Sequence, residues 1–257
     1  MQDFKKVLYS ASLEAGEIIK KYFGKIFQIE SKDIISNLVT EVDKISEAKI
    51  IDIIQKHFPS HSILSEEIGS LEQKSEFKWI IDPIDGTINF AHGVPICAVS
   101  IGLEIDEKIV MGVVYNPIAN EFFFAEKNSG SYLNDNKIFV SKENNLRKSL
   151  LVTGFPYNYS SGKNSPIDVF GKFLNLDIPI RRLGSAALDI CWTACGRFDG
   201  FWEFRLHPWD TAAGVIILNE AGGKLSDFSD NPYSIYGKQI LATNSLIHKQ
   251  MLDVITI

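Results

Sequence analysis

Two aspartates stand close together after an apolar run in the segment WIIDPIDGTINFAHG, residues 79–93. The residues before Asp82 and Asp85 are typical of a buried strand. A carboxylate at the end of such a strand loses its hydration and therefore requires a counter-charge. A hard divalent cation is the natural partner, because such cations prefer oxygen ligands. The segment therefore predicts a metal site.

The residues around the two aspartates set the direction of the chain. Pro83 and Gly86 favour a sharp turn at this point. Such a turn could aim both carboxylates, and the main-chain carbonyl of Ile84, toward one position. Magnesium accepts a mixed set of this kind, with few carboxylates and several retained waters.

Further acids occur in two distant segments. Glu66 and Glu67 follow a short apolar run in SILSEEIG, and Asp210 opens the helix-like segment TAAGVIILNEAG. Taken singly, adjacent glutamates are usually solvated, and an aspartate before a helix is usually its N-cap. Their combination with the paired aspartates favours one shared metal site instead.

The elements that must position these acids begin with two long helices. A 3.6-residue apolar period predicts a helix over residues 3–23, ended by Gly24, and a second helix over residues 40–58, stopped by Pro59. The predicted buried positions of the second helix are Val42, Ile45, Ala48, Ile51, Ile54 and Phe58.

Short β-rich runs follow the helices and predict an antiparallel sheet, and from about residue 150 strand-like and helix-like segments alternate. This pattern predicts an α/β chain whose N-terminal half has α+β character, with residues 1–145 and 146–257 as its two halves. No flexible linker separates them, so we expect them to share an interface. Residues 157–165 are the best candidate for a surface loop.

Composition excludes several classes of protein. The chain has 257 residues and a formal net charge of −6, so it lacks the basic character of a nucleic-acid-binding protein. It contains no apolar run long enough for a membrane span and no signal peptide, and we therefore expect it in the cytoplasm. Cys191 and Cys195 have a spacing that zinc could use, but no ligand-rich segment follows. With Cys97, they are predicted to be buried thiols.

Four segments together carry a family resemblance: SEE, WIIDPIDGTINF, GSAALDIC and WDTAAGVIILNEAGG. They resemble the inositol monophosphatase family in sequence, order and spacing, and the resemblance covers essentially the whole chain. It implies an αβαβα layered sandwich related to fructose-1,6-bisphosphatase, a homodimeric assembly, and a lithium-sensitive, magnesium-dependent phosphatase.

Carried over by position, the resemblance implies two or three Mg²⁺ ions per active site. Glu66, Asp82 and the carbonyl of Ile84 would hold the first ion. The second would be held by Asp82, Asp85 and Asp210, and a third, weaker ion would lie against Glu66.

The resemblance also implies catalytic and substrate contacts. No protein nucleophile is evident, since the chain lacks a G-x-S-x-G motif and a recognisable triad histidine. Water would then attack phosphorus, oriented by Glu66, Thr87 and Asp43. The hydroxyl of Thr87 could equally satisfy local backbone. The implied substrate contacts are Asp85, Gly86, Thr87, Gly184, Ser185, Ala186, Glu203 and Asp210.

Two basic residues bear on the substrate. Arg205, close to Glu203, could reach a second anionic group of a substrate or could be a solvated strand residue. Lys32 lies in ESKDIISN, which resembles the family's mobile metal-site loop. The expected substrate is inositol monophosphate or a similar sugar or cyclitol phosphate. Fructose 1,6-bisphosphate, NADP and nucleotide 3′-phosphates are the alternatives within this fold.

Two other classes of protein compete with this interpretation. Haloacid-dehalogenase phosphatases also carry D-G-T, but their acids are one residue apart and lie near the start of the chain, unlike Asp82 and Asp85. A non-catalytic module could bind metal or an inositol phosphate. Such a module could lose Glu66, Thr87 or Asp210 without penalty, and this chain retains all three.

Overall fold

The structure is a computed structural model that describes residues 1–25, 29–31, 38–156, 162 and 165–256, with backbone only for residues 29–31 and 38–40. Lys32 and most of the predicted surface loop at residues 157–165 lie outside the described residues. The helices are α1 (Gln2–Tyr22), α2 (Glu41–His57), α3 (Thr87–Ala91), α4 (Pro166–Leu174), α5 (Ala186–Ala194), α6 (Pro208–Glu220) and α7 (His248–Thr256).

The strands form three sheets. A two-stranded sheet contains β1 (Ile29–Ser31) and β2 (Leu38–Thr40). An eight-stranded sheet contains β3 (Ser62–Ser65), β4 (Gly69–Leu71), β5 (Phe77–Asp85), β6 (Ala98–Ile105), β7 (Lys108–Asn116), β8 (Glu121–Glu126), β9 (Gly130–Leu133) and β10 (Asn136–Lys137). A five-stranded sheet contains β11 (Leu151–Thr153), β12 (Ile180–Arg181), β13 (Gly200–Phe204), β14 (Lys224–Ser226) and β15 (Gln239–Thr243).

The strand order of the large sheet is β10-β9-β8-β7-β6-β5-β3-β4, antiparallel except for the parallel pair β3 and β5. The order of the five-stranded sheet is β12-β11-β13-β15-β14. In that sheet β11 runs parallel to both of its neighbours, and the remaining pairs are antiparallel. The proposed division at residue 145 falls between β10 and β11.

The helices and sheets stack in five layers, with apolar cores between them. Helices α1 and α2 pack on one face of the large sheet, and α5 and α6 fill the space between its other face and the five-stranded sheet. Helices α4 and α7 cover the outer face of the five-stranded sheet. Successive side chains of a strand point to opposite faces, so Phe201 joins the middle core and Trp202 the outer one. The predicted αβαβα sandwich is confirmed.

Two glycines bring α6 against the large sheet. A Cβ atom on Gly102 would lie 2.9 Å from Cβ of Ala212, and one on Gly112 would lie 2.8 Å from Cα of Ala213. Larger residues on β6 and β7 would push the helix away. This close approach holds the N-terminal end of α6, which carries Asp210, beside the end of β5.

The first predicted helix is confirmed, with its apolar stripe buried or half-buried along α1. The predicted buried face of the second helix is only partly correct. Val42 and Ile54 are buried, and Ile51 and Phe58 are partly buried against the core. Ile45 is 43% exposed and Ala48 is exposed, whereas polar residues take part of the buried face. The buried residues of α2 are Val42, Asp43, Ser46, Glu47, Ile50, Ile53 and Ile54. Relative to the prediction, the helix is rotated about its axis, because its buried face meets the candidate site as well as the core.

The cysteines behave as the sequence predicts. Cys97 and Cys191 are buried and Cys195 is half-buried, and all three are free thiols. Burial is the main cause that raises the pKa of each thiol, to about 12 for Cys97. Within the described ranges, no helix combines the length and the apolar character that crossing a membrane requires.

Candidate active site

One cavity of about 490 Å³ collects nearly all of the predicted site residues. It lies among the end of β5, the N-terminal ends of α3, α5 and α6, and the end of β13. The predicted residues that line it are Glu66, Asp82, Ile84, Asp85, Gly86, Thr87, Gly184, Ser185, Ala186, Glu203 and Asp210. Asp43 does not line the cavity but lies behind it, next to Thr87.

The end of β5 is shaped by an irregularity and a left-handed glycine. The register between β5 and β6 shifts between Asp82 and Asp85. Gly86 follows with φ of +90°, and a Cβ atom there would lie 2.7 Å from the carbonyl oxygen of Ile96. Only glycine meets both conditions without strain. The strand therefore continues through Pro83, and the predicted turn occurs at Gly86, at the start of α3.

Asp82 is deeply buried in the cavity, with 2% of its surface exposed. Its Oδ1 accepts a hydrogen bond of 3.0 Å from the backbone N–H of Ile84. Burial raises the pKa of Asp82 well above its ordinary value, and repulsion from neighbouring acids raises it further. In order of effect, those neighbours are Glu66, Asp85, Asp210 and Asp43. The predicted acids are therefore close enough to act on one another.

Asp85 connects the strand to α5. Its Oδ2 accepts hydrogen bonds of 2.6 Å from Oγ of Ser185 and 2.7 Å from the N–H of Ala187. Burial raises the pKa of Asp85, and these hydrogen bonds oppose the rise. Ser185 is also the N-cap of α5 and accepts a bond of 3.4 Å from the N–H of Leu188. The N-cap and substrate-binding interpretations of Ser185 are thus compatible.

Thr87 satisfies local backbone and faces Asp43 at the same time. Its hydroxyl lies 2.9 Å from the carbonyl oxygen of Ile84 and 3.4 Å from Oδ1 of Asp43. Asp43 is buried on α2. Both of the interpretations that the sequence left open for Thr87 therefore fit the structure.

Asp210 lies within the first turn of α6, which begins at Pro208 with His207 as its N-cap. The helix therefore starts earlier than the sequence interpretation placed it, and Asp210 is not the N-cap. Its Oδ2 accepts a bond of 2.6 Å from the N–H of His207. Burial, and then the charge of Asp85, raise the pKa of Asp210.

The donor set of this cavity fits a hard divalent cation. The residues that line the cavity offer carboxylate oxygens, a main-chain carbonyl and a hydroxyl, and a cation would relieve the repulsion that raises the pKa of Asp82. Among the described residues, no group of three or more His, Cys, Asp or Glu side chains is already arranged as a metal cage. The carboxylates instead face backbone and hydroxyl donors, so binding an ion would require them to rotate.

The opposite wall of the cavity is formed by Glu203 and its surroundings. Glu203 is 7% exposed, and the described residues provide no hydrogen bond to its carboxylate. Burial, and then Asp210 and Asp85, raise its pKa. A methyl group on Gly154 would overlap the Glu203 carboxylate, so glycine at this position leaves room for it.

Three features of this wall were missed or left open by the sequence interpretation. Arg205 lies in a bend after β13 with φ of +58°, exposed and lining the cavity, so it is not a strand residue. Arg182 also lines the cavity, 5.5 Å above the ring of Phe155. Buried Asp189 lines it as well, and its Oδ1 has no hydrogen-bond partner within the part of the chain that the structure describes. A buried acid in the apolar segment SAALDIC was the available signal for Asp189.

The chain matches known proteins over nearly its whole length. The sequence model of the inositol monophosphatase family matches residues 1–256. An inositol-1-monophosphatase of Synechocystis sp. is 44% identical over 252 residues, which cover 98% of this chain and 88% of the relative. The Nus factor SuhB of Escherichia coli is 40% identical over 254 residues, covering 98% of this chain and 95% of the relative.

A solved structure has the same architecture. The inositol monophosphatase from Anabaena (Nostoc) sp. superposes with a TM-score of 0.89 at 41% identity, covering 99% of this chain and 96% of the other. The match spans both sheets and all the segments that line the cavity. The chain therefore belongs to the inositol monophosphatase family.

Proposed function

We propose that this protein is a magnesium-dependent phosphomonoesterase that hydrolyses inositol monophosphate or a similar sugar or cyclitol phosphate. One observation carries the proposal. A single cavity combines acids from separate segments on one side with a buried Glu203 on the other, to whose carboxylate the described residues donate no hydrogen bond. The acid side suits a cation and a phosphate, and Glu203 suits a substrate hydroxyl. The relative named inositol-1-monophosphatase supports the same substrate class.

The metal ligands remain a proposal: Glu66, Asp82, the Ile84 carbonyl, Asp85 and Asp210. When bound, Mg²⁺ would supply positive charge next to the phosphate and the attacking water. The N–H groups of Gly86 and Thr87 would donate to the phosphate at the start of α3. The backbone that would bind the phosphate is therefore fixed by the left-handed conformation of Gly86.

The hydrogen bonds of the Thr87 hydroxyl indicate how a water molecule in the site would be oriented. Its hydroxyl proton has two acceptors, the Ile84 carbonyl at 2.9 Å and Asp43 at 3.4 Å. Its oxygen can therefore accept a hydrogen bond from water. A water placed between Thr87 and Glu66 would donate its protons to these two groups and direct a lone pair toward phosphorus. This arrangement orients the nucleophile without a covalent enzyme intermediate.

The substrate hydroxyls would contact the second wall. Glu203 lacks a protein donor among the described residues, so a hydroxyl of the substrate would satisfy a buried acceptor that otherwise carries an energetic cost. Gly184, Ser185 and Ala186 line the cavity beside it. This wall would distinguish a polyol phosphate from a simple phosphate ester.

The experiment that tests the proposal is a phosphate-release assay with Mg²⁺ over four substrates. They are inositol 1-phosphate, fructose 1,6-bisphosphate, adenosine 3′,5′-bisphosphate and NADP. We expect the highest kcat/KM for inositol 1-phosphate and no release in the presence of excess chelator. A preference for a bisphosphate or for NADP would assign the chain to another substrate class, and no release from any substrate would refute the phosphatase proposal.

Relatives named Nus factor SuhB give a second candidate function, as a protein that binds partners in addition to, or instead of, catalysis. The two functions separate in the Asp82→Asn variant. Loss of phosphate release with unchanged partner binding would show that both functions exist and are independent.

Assembly and cell compartment are part of the same proposal. From the family we propose that the protein is a homodimer in the cytoplasm and is inhibited by lithium. Within each chain, residues 1–145 and 146–257 are the two proposed halves. Light scattering tests the homodimer, and a lithium titration of the phosphate-release assay tests the inhibition.

A further inference from the structure

Helix α2 buries three polar side chains on the face that meets the site. Asp43, Ser46 and Glu47 are each at most 2% exposed. Buried polar groups of this kind are costly unless they make hydrogen bonds. Their contacts therefore indicate what the helix holds in place.

Glu47 binds the segment that carries Glu66. Its Oε1 accepts hydrogen bonds from the hydroxyl of Ser65, from the N–H of Glu67 at 3.0 Å and from the N–H of Ile68 at 3.3 Å. These three donors flank Glu66 on both sides. One carboxylate oxygen thus fixes the backbone from the end of β3 to the residue before β4.

The same helix also contacts the segment that carries Asp82 and Asp85. Ser46 donates a hydrogen bond of 3.2 Å to the carbonyl oxygen of Pro83, and Asp43 lies 3.4 Å from the hydroxyl of Thr87. Asp43 and Glu47 are four residues apart, on one helix face. A rigid helix therefore spans two acid-bearing segments that are connected to each other mainly through the pairing of β3 and β5.

The N–H of Glu66 adds a further constraint, since it donates to the carbonyl oxygen of Ile81 at 3.3 Å. Neighbouring amides thus point to two different acceptors, and Glu66 itself lines the cavity. If Glu47 only stabilised the local turn, one or two of these bonds would be enough. The full set of bonds determines the position of Glu66 relative to Asp82.

We infer that Glu47 is a positioning residue for the metal site: by fixing residues 65–68 it sets the distance between Glu66 and the acids at the end of β5. The inference rests on the proposed function, because it assigns Glu66 to metal binding. It adds a residue that makes no contact with metal or substrate. Contacts of this kind commonly change metal affinity by about 10- to 100-fold.

The test compares Glu47→Ala, Glu47→Gln and the matched control Glu41→Gln, an exposed glutamate on the same helix. In Glu47→Ala we expect the amides of Glu67 and Ile68 to exchange with deuterium at least about tenfold faster. We also expect Mn²⁺ binding, measured by electron paramagnetic resonance, to weaken by about 10- to 100-fold. At saturating metal, the KM for substrate should stay the same. Glu47→Gln, whose oxygen can still accept, should fall between wild type and Glu47→Ala, and Glu41→Gln should match wild type.

A double variant separates positioning from general stability. In a Glu66→Gln background, Glu47→Ala should cause no further loss of Mn²⁺ affinity, because the ligand that it positions is already altered. A fall in Tm with unchanged Mn²⁺ affinity, or additive losses in the double variant, would overturn the inference. A wild-type protein that neither binds Mn²⁺ nor releases phosphate would overturn the proposed function, whereas the exchange rates of Glu67 and Ile68 would still report the Glu47 contacts separately.

Discussion

The two walls of the cavity satisfy their buried carboxylates in different ways. On the acid wall, formed by Glu66, Asp82, Asp85 and Asp210, three of the carboxylates accept hydrogen bonds from backbone or hydroxyl donors of neighbouring elements. On the Glu203 wall, formed by Glu203, Asp189 and Gly154, the described residues leave Glu203 and Oδ1 of Asp189 without a hydrogen bond.

From this difference we propose that the acid wall serves hydrolysis and that the Glu203 wall selects the substrate. In the proposed function, the acid wall holds the metal and the phosphate group, which every phosphate ester has. We propose that the buried acceptors of the Glu203 wall bind the hydroxyl groups of the substrate. Variants on the first wall should therefore affect all substrates, and variants on the second should affect only those that carry hydroxyl groups.

The largest effect is expected from Asp82→Asn. Phosphate release should fall by at least about 100-fold for every substrate, because the variant removes the carboxylate that we propose is central to metal binding. Without metal, Tm should rise, since the variant removes a buried charge that its neighbours repel. Colorimetric phosphate release and thermal unfolding in excess chelator measure the two effects. Asp52→Asn, on the exposed side of α2, is the control and should change neither. Retained activity would refute the metal assignment.

A smaller and selective effect is expected from Gly154→Ala. The added methyl group would displace the Glu203 carboxylate and lower kcat/KM for inositol 1-phosphate by about 10- to 100-fold. Hydrolysis of p-nitrophenyl phosphate, which has no hydroxyl groups, should change little. Gly171→Ala in α4 is the matched control, because nothing lies within 4 Å of its added methyl group. Equal losses of kcat/KM for both substrates would show that the Glu203 wall does not select substrates by their hydroxyl groups.

Ser185→Ala tests the contact that joins the walls. The variant removes the α5 N-cap and the hydrogen bond to Asp85, and should lower the free energy of unfolding by about 1 to 2 kcal/mol. Urea denaturation measures this loss. Ser165→Ala removes the N-cap of α4, away from the cavity, and should lower stability by about 1 kcal/mol with no loss of activity. If both variants left activity unchanged, Ser185 would be a cap and no more.

The smallest effect on catalysis is expected at His248, which lies away from both walls. Its ring nitrogens lie 2.9 Å from the hydroxyls of Ser226 and Thr243. Burial, and then the charge of Lys224, lower its pKa from 6.5 to about 4. The unfolded chain takes up this proton at a higher pH than the folded one, so stability should fall as pH decreases from 6.5 to about 4. Chemical denaturation across this range measures the slope, which should be reduced in His248→Gln. An identical slope in the variant would show that the acid sensitivity comes from groups other than His248. The carboxylates of the cavity would not explain it, because their raised pKa values make stability rise as pH decreases.

Much of the fold could be predicted because its longer elements follow from local patterns in the sequence. The apolar stripe of α1 and the strands that lead to Asp82 and Glu203 follow from period and residue type. Short elements such as β12 and β14, and the nine-residue helices α4 and α7, were not predicted. Their stability comes from packing on the five-stranded sheet, which a local window does not contain.

The rotated face of α2 shows why the site was harder to predict than the fold. Periodicity assigned Ile45 to the core because it counts apolar residues only. The structure buries Ser46 and Glu47 instead, since Pro83, Ser65 and the amides after Glu66 satisfy them. Those partners lie far away in the sequence. Val42, Ser46, Ile50 and Ile53 do share a helical period, and this was the signal that could have shown the buried face.

Anomalous diffraction from crystals grown with Mn²⁺ tests the central claim most directly. We predict peaks in the cavity within bonding distance of Asp82 and of at least two of Glu66, Asp85 and Asp210, with the carboxylates rotated toward them. Peaks elsewhere, or no peak in this cavity at saturating Mn²⁺, would contradict the assignment of these acids to a metal site.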